Sequence, residues 1–213
     1  MLRQLRIAIV SVIAFTLLLG LAFPIGFTGL ARLLFPGQAA GSLVVREGRI
    51  VGSRLIAQSF TGARYFHPRP SAAGAGYDGS YSGATNLGPT SDKLIHGIHM
   101  KLPNGQDDPG NFAGVRDLAA AYRRENGLAP DAPLPADAVT RSASGLDPDI
   151  SPANAELQVA RVASARGLSS EAVHRLVHAH TRSRQFGLLG EPRVNVFELN
   201  LALDDATRDP SRP

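Results

Sequence analysis

The stretch IAIVSVIAFTLLLGLAFPIGFTGLA, from Ile7 to Ala31, decides how this chain is organised. It contains no charged residue, and a helix of this length would span about 37 Å, more than the roughly 30 Å hydrocarbon layer of a bilayer. We therefore predict a transmembrane helix over 7–34, preceded by a short cytoplasmic flank over 1–6. Pro24 removes a backbone donor within this stretch, which predicts a kink or a local loosening of the helix.

A cleaved signal peptide is the alternative interpretation of this stretch. Arg3 and Arg6 fit the positively charged start of a signal, and the small residues at 39–41 offer a cleavage site. A signal usually has only about 7–15 apolar residues, whereas 25 uncharged residues favour a retained anchor. The basic residues before the stretch, set against Arg32 after it, favour a cytoplasmic N-terminus with the rest of the chain outside the cytoplasm.

One ridge of the predicted anchor carries small residues at a spacing of four. Ala8, Thr16 and Gly20 share this ridge with Val12. Small residues allow another helix to approach closely, so the ridge predicts a contact with a membrane helix of a partner. A helix that faces lipid on all sides is the alternative, and the residues alone favour neither interpretation.

Composition limits what the rest of the chain can do. Removing Arg3, Arg6 and Arg32 from the 22 basic residues leaves 19 against 18 acidic residues, so the part beyond the anchor is nearly neutral. A nearly neutral segment without a run of lysine or arginine argues against nucleic acid as a partner. The sequence contains no cysteine, which excludes disulfides and thiol chemistry.

We predict that 36–213 forms one soluble α/β (α+β) domain with a small sheet and several helices. The predicted elements are a hairpin over 42–52 with Gly48 in its turn, a strand over 55–60, helices over 92–100 and 112–125, a helix begun by Ser151-Pro152 and stopped by Gly167, a helix over 170–181 capped by Ser169, and a strand over 193–199. A polar insert over about 96–111 and a frayed tail over 204–213 complete the prediction.

Catalytic groups are not evident in this sequence. His174 and His178 have the spacing that lets two imidazoles share a metal, but arginine follows His174 where metalloproteases place glutamate, and solvent-exposed histidines are the simpler interpretation. Asp147 and Asp149 suggest an acid–base pair, although charges before a helix N-terminus explain them more simply. The polar loop Ser82–Gly88 has a backbone that could approach an anion, with an ordinary turn as the alternative.

Four blocks of the sequence, taken in order, resemble a known family. They are YFHPRPS at 65–71, SGATNLG at 82–88, GLDPDIS at 145–151 and LGEPRVNV at 189–196. These blocks, and their order behind a single N-terminal membrane helix, closely resemble the C subunit of the Kdp potassium-transporting ATPase. The resemblance extends over nearly the whole chain.

The resemblance implies a non-catalytic subunit of an ATP-driven potassium importer in the bacterial inner membrane. The implied partners are a channel-like potassium-translocating subunit, a P-type ATPase subunit, a small single-helix subunit and the lipid bilayer, with no nucleic acid. No cofactor of its own is implied. In this family the C subunit is described as a catalytic chaperone that raises the ATP affinity of the ATPase subunit.

The resemblance also implies roles for particular residues. The loop at 82–88 has been likened to the signature of ABC transporters, although Tyr81 and Ala84 replace the leucine and the second glycine of that signature. Nucleotide contact is assigned to Gln58, Ser82, Gly83, Thr85 and Asn86. Structural or partner contacts are assigned to Ala8, Thr16, Gly20, Arg69, Asp147 and Asn195. A domain outside the membrane cannot reach cytoplasmic ATP, so the expected orientation favours roles in assembly or at the potassium entrance.

Overall fold

The structure is a computed structural model that describes residues 1–207. The chain divides into two compact units, Met1–Ser53 and Arg54–Pro213. One long apolar helix lies at the N-terminus, and small sheets and several helices follow it. The predicted α/β (α+β) fold class with one N-terminal helix is therefore confirmed, while the predicted limits of the soluble domain stay a prediction.

The first unit begins with an apolar helical segment, Leu2–Leu34, which by length and composition is able to cross a bilayer. It consists of α1 (Leu2–Leu17), a π-helical turn (Leu18–Ala22) and α2 (Phe23–Leu34). The π turn ends two residues before Pro24, whose missing N–H leaves a carbonyl of the preceding turn without its usual donor. The predicted loosening of the helix thus takes the form of a π turn.

A short helix, α3 (Pro36–Ala39), follows the anchor, and an antiparallel hairpin completes the first unit. The strands of the hairpin are β1 (Leu43–Arg46) and β2 (Arg49–Ser53). Gly48 has a φ of +75° in the turn, a conformation that glycine adopts without steric cost. The hairpin predicted over 42–52 is confirmed.

The second unit packs three long helices against a small antiparallel sheet. Its helices are α4 (Asp92–His96), α5 (Val115–Glu125), α6 (Ala136–Val139), α7 (Pro152–Arg166), α8 (Ser170–Ala179) and α9 (Val196–Ala206). Its strands are β3 (Asp149–Ile150), β4 (Thr181–Arg182) and β5 (Arg193–Asn195), in the order β3-β5-β4. The core is formed by Phe66, by Ile150 and Val194 of the sheet, and by apolar side chains of α7, α8 and α9.

Local signals place the ends of α7 and α8 where the sequence predicts them. The hydroxyl of Ser151 accepts a hydrogen bond from the N–H of Asn154, and Gly167 ends α7 with a φ of +65°. The hydroxyl of Ser169 accepts a hydrogen bond from the N–H of Ala172 and so begins α8. Both helices are therefore confirmed to within two residues.

The strand predicted over 193–199 is wrong beyond Asn195. The side-chain oxygen of Asn195 accepts a hydrogen bond from the N–H of Glu198, so this residue caps α9 and ends the strand. Leu199 and Leu203 then lie one helical turn apart, and both are fully buried. A short alternation of apolar and polar residues does not distinguish a strand from the first turn of a buried helix.

The strand predicted over 55–60 is also wrong, because this segment forms turns and irregular backbone. Its buried residue Ala57 donates one hydrogen bond, at 2.9 Å, to the carbonyl of Leu146, and Phe60 packs against the core. The apolar residues here pack against other parts of the unit and do not form the hydrogen-bond ladder of a strand.

The sequence predicts a frayed tail over 204–213, but this start is too early, because α9 continues to Ala206. Residues 208–213 lie outside the described residues.

The helices predicted on either side of the polar insert are shorter than expected. Gly97, with a φ of +83°, follows the last residue of α4, so this helix ends at His96 and not at Met100 as predicted. Phe112 does not begin a helix, because its backbone pairs with Ile98 in an antiparallel bridge. Asn111, directly before the predicted helix, bonds to the backbone of Met100, and α5 begins after Gly114.

Two buried amides hold the loop that contains Phe66 and His67. The side chain of Asn200 accepts from the N–H of Phe66 at 2.8 Å and donates to its carbonyl at 2.9 Å. Gln158 makes the same pair of bonds to His67, at 2.8 and 3.1 Å. Both amides are 1% exposed, and Phe66 is completely buried. Side chains of α7 and α9 thus supply the bonds that a neighbouring strand would otherwise provide.

Two arginines of α7 hold the residues just before Phe66. The guanidinium of Arg161 donates to the carbonyls of Ala63 and Tyr65, each at 2.8 Å. Arg166 donates to the carbonyl of Arg64 at 2.6 Å and pairs with Asp204 of α9 at 2.8 Å. Burial lowers the pKa of Arg161, which a guanidinium tolerates because its ordinary pKa is far above neutral.

We expect Asn200→Ala to lower the free energy of unfolding by about 3 kcal/mol, because it leaves the N–H and carbonyl of Phe66 buried without partners. All four tyrosines lie in the second unit and the chain has no tryptophan, so the tyrosine band of the near-ultraviolet circular dichroism of the full chain in detergent follows that unit alone. Asn104→Ala, in an exposed turn, is the control and should cost less than about 1 kcal/mol. Equal losses in the two variants would contradict the role given to Asn200.

Candidate functional site

A cleft of about 550 Å³ lies where several distant parts of the second unit meet. Its lining contains six charged residues, which are Arg69, Asp137, Asp147, Asp149, Glu191 and Arg193. We call it the charged cleft. Three of the four sequence blocks that carry the resemblance, at 65–71, 145–151 and 189–196, contribute to this lining. The structure therefore brings together residues that are more than 100 positions apart in the sequence.

Two ion pairs cross the charged cleft. Arg69 donates from Nη1 to Oδ2 of Asp147 at 3.1 Å, and Arg193 Nε lies 3.1 Å from Oδ2 of Asp149. The backbone N–H of Asp149 also donates to Oδ1 of Asp147. Burial raises the pKa of the Asp149 carboxyl, the Arg193 charge opposes this rise, and the nearby Asp147 charge adds to it. The two carboxylates are thus neutralised by different arginines and do not form an acid–base pair.

Hydrogen bonds hold the backbone around Arg69 in place, but one donor of the Arg69 side chain is not used. The hydroxyl of Tyr77 donates to the carbonyl of Arg69 at 2.8 Å, and burial raises the pKa of Tyr77 to about 12, so this hydroxyl keeps its proton. Ser71 Oγ donates to the carbonyl of Gly145 at 2.6 Å. The Nε of Arg69 is buried and has no hydrogen-bond partner within residues 1–207. Arg69, which lines the charged cleft, therefore keeps one buried donor without a partner among the described residues.

The fourth sequence block, at 82–88, contacts Ser144 and Gly145, which come shortly before the cleft residue Asp147 in the sequence. Ser82 Oγ and the N–H of Gly83 both donate to the carbonyl of Ser144, at 3.0 and 2.9 Å. Gly145 has a φ of +68°, and a Cβ there would lie only 2.6 Å from the carbonyl oxygen of Gly83. A glycine is needed at 145 because two backbone segments approach so closely. These two donors of the loop are thus engaged with protein.

The other residues proposed for nucleotide contact differ in their exposure to solvent. Asn86 is exposed and has a φ of +53°, while Thr85 and Gln58 are half-buried. The structure holds these positions in irregular backbone, as expected for a polar loop. Their assignment to nucleotide stays a prediction.

The residues proposed for structural or partner contact differ in exposure. Ala8, Thr16 and Gly20 are exposed on the anchor, and a Cβ on Gly20 would lie 4.0 Å from Thr16. Their contact with another membrane helix stays a prediction. Asn195 is 3% exposed, caps α9 and donates to the carbonyl of Arg54 at 3.0 Å, so its side chain acts inside the fold.

One histidine of the pair on α8, His174, makes a contact within the protein. Nδ1 of His174 lies 2.5 Å from a carboxylate oxygen of Glu156 on α7. Within residues 1–207 there is no group of three histidine, aspartate or glutamate side chains placed to hold a metal. Sequence reasoning assigned no role to Thr140, Glu191 or Arg193 of the charged cleft, although the last two lie in a block that carries the resemblance.

Comparison with known proteins identifies the family. A family model described as "K+-transporting ATPase, c chain" matches residues 5–205. The chain belongs to the KdpC family. It is 51% identical over 206 residues to the "Potassium-transporting ATPase KdpC subunit" of Rhodospirillum rubrum, covering 96% of this chain and 97% of that protein.

Other KdpC relatives are similar over the same extent. The subunit of Mycobacterium tuberculosis is 48% identical over 202 residues, covering 95% of this chain and 98% of the relative. That of Cereibacter sphaeroides is 48% identical over 206 residues, covering 97% and 99%. The resemblance found in the four sequence blocks is therefore confirmed, and the charged cleft is a feature of a KdpC-family chain.

We expect Gly145→Ala to lower the free energy of unfolding by about 3 kcal/mol, through a positive φ and through contact of the new Cβ with the Gly83 carbonyl. Gly127→Ala is the matched control, because Gly127 has a φ of +64° but no atom within 4 Å of a new Cβ. It should cost only about 1 kcal/mol. Denaturant melts of the full chain measure both, and similar losses would show that the close approach at 145 is unimportant.

Proposed function

We propose that the chain is a non-catalytic subunit of an ATP-driven potassium importer in the bacterial inner membrane. The family match over residues 5–205 carries the proposal, because it includes the anchor as well as the region that forms the charged cleft. Relatives named as potassium-transporting ATPase subunits align with this chain over 97% and 99% of their own length, which supports the same role for it.

The partners in this proposal are a channel-like potassium-translocating subunit, a P-type ATPase subunit and a small single-helix subunit. The anchor holds the chain in the bilayer, and its ridge of Ala8, Thr16 and Gly20 contacts a membrane helix of one partner. The charged cleft of the second unit contacts a partner outside the bilayer. The cleft contains paired charges of both signs. Such a surface favours specific polar contacts over non-specific attraction of a partner that carries a single sign of charge.

The orientation of the anchor separates two possible molecular roles. Arg3 and Arg6 before the apolar stretch favour a cytoplasmic N-terminus, so we place the second unit outside the cytoplasm. Cytoplasmic ATP does not reach a unit on that side. We therefore propose assembly and coupling as the direct role, and any increase in the ATP affinity of the ATPase subunit as its indirect consequence.

Direct nucleotide contact through Ser82 and Gly83 would require this part of the loop to rearrange. Ser82 Oγ and the Gly83 N–H would have to leave the Ser144 carbonyl before they could bind a phosphate. Releasing two satisfied donors is unfavourable unless the new bonds compensate. This geometry supports the indirect role over nucleotide binding by Gln58, Ser82, Gly83, Thr85 and Asn86.

Purifying the transport complex from cells that express or lack this chain tests the proposal. Without the chain, we expect the other subunits to fail to co-purify, or potassium-dependent ATPase activity to fall by at least about tenfold. With Ser82→Ala, we expect the complex to assemble and its KM for ATP to stay within about twofold of the unchanged complex.

Unchanged assembly and activity without the chain would contradict the proposed function. A KM for ATP raised about tenfold by Ser82→Ala, with normal assembly, would instead favour direct nucleotide contact. Asn104→Ala is a suitable control here, since its side chain lies in an exposed turn.

A further inference from the structure

The connection between β4 and β5 exposes three large apolar side chains close together. Phe186 is 92% exposed, Leu188 is 80% exposed and Leu189 is 59% exposed. We call the segment Phe186–Leu189 the apolar tip. Single exposed apolar residues are common, but a contiguous group of this size on a folded unit marks a surface that another molecule covers.

The apolar tip is a turn closed by hydrogen bonds at its base. Gln185 and Leu189 exchange two hydrogen bonds of 2.9 Å in an isolated antiparallel bridge within the connection from β4 to β5. Below the bridge, Arg184 donates to both carboxylate oxygens of Glu191, at 2.8 and 2.6 Å. The apolar side chains are therefore displayed from a fixed turn.

Phe186 occupies a conformation that an aromatic residue seldom adopts. Its φ is +53°, in the left-handed region that glycine and asparagine tolerate better. The chain thus combines an unfavourable backbone conformation with an almost fully exposed aromatic ring. Neither feature stabilises the isolated unit, and both are explained if the ring enters a pocket on a partner.

We propose that the apolar tip inserts into a concave apolar pocket on another subunit of the potassium-transporting ATPase. The inference rests on the function proposed above. Gly190, Glu191 and Pro192 follow the tip directly and line the charged cleft, so the tip is continuous with that surface. The arrangement, an apolar anchor beside paired charges, is that of a protein interface with a polar rim.

A lipid surface is the other candidate occupant, and the charges argue against it. Segments that bind anionic membranes present unpaired lysine or arginine beside the apolar residues. Here Arg184 is paired with Glu191, and Arg182 is paired with Glu198. The fixed turn also suits a pocket of fixed shape, whereas a fluid bilayer needs no such preorganisation.

The sequence contains no cysteine, so Leu188→Cys introduces a single thiol at the apolar tip. Its maleimide labelling would be followed on this chain's gel band, for the full chain alone and for the whole complex, both in vesicles of phosphatidylethanolamine and phosphatidylglycerol. Glu171→Cys, at an exposed position of α8, corrects for access to the reagent. We expect labelling of Leu188→Cys, relative to Glu171→Cys, to be at least about tenfold slower in the complex.

Each other outcome overturns the inference. Equal labelling in the complex and in the chain alone would show that no partner covers the tip. Protection already present in vesicles without partners would assign the tip to lipid. Failure of the unmodified chain to join the complex would overturn the proposed function itself, whereas normal assembly with an unprotected tip would overturn only this inference.

Phe186→Asn provides a second test that does not depend on labelling. Asparagine suits the positive φ, so the variant should unfold at the same or higher denaturant concentration than the unchanged chain. We expect it nevertheless to bind the other subunits about 30-fold more weakly in competition with the unchanged chain. Met100→Asn, which also replaces an exposed apolar side chain, should compete equally. Equal competition by Phe186→Asn would contradict the proposal.

Discussion

The hydrogen bonds from Gln158 and Asn200 to the backbone of Phe66 and His67 are the constraint on which the rest of the second unit depends. This backbone runs through the core without a neighbouring strand, so its polar groups would be unsatisfied if α7 and α9 did not supply amides. These hydrogen bonds position Phe66 within the core. They also fix the start of the segment that carries Arg69 to the charged cleft, where it meets Asp147. Packing and site geometry therefore depend on the same four bonds.

Features with a local cause could be predicted from the sequence. The apolar stretch, the caps at Ser151 and Ser169 and the stop at Gly167 each depend on residues within a few positions. The roles of Gln158 and Asn200 could not be predicted, because their partners lie about 91 and 134 positions away. The same limit applies to the charged cleft. The four blocks could be recognised separately, but only the fold shows that three of them meet. The strand predicted beyond Asn195 failed because burial on three helical turns outweighed a short alternating pattern.

Family membership and structure together support the proposal that this subunit works through contacts with partners. The chain belongs to the KdpC family, whose relatives are named as subunits of a potassium-transporting ATPase. The groups that first suggest chemistry are used within the fold: His174 pairs with Glu156, and the Ser82 hydroxyl bonds to the Ser144 carbonyl. Within residues 1–207, Arg69 in the lining of the charged cleft keeps a buried Nε without a partner, and the adjoining apolar tip exposes the ring of Phe186. These features are the basis on which we propose that this surface contacts a partner.

Hydrogen–deuterium exchange of the full chain, alone and within the purified transport complex in the same detergent, tests this account most directly. The central claim is that the charged cleft and the apolar tip form the surface that docks on a partner. It predicts slower exchange within the complex at 145–149 and 184–193, with unchanged exchange at the exposed turn over 102–106. Slower exchange confined to other segments, such as 82–88, or no change at 184–193, would contradict it.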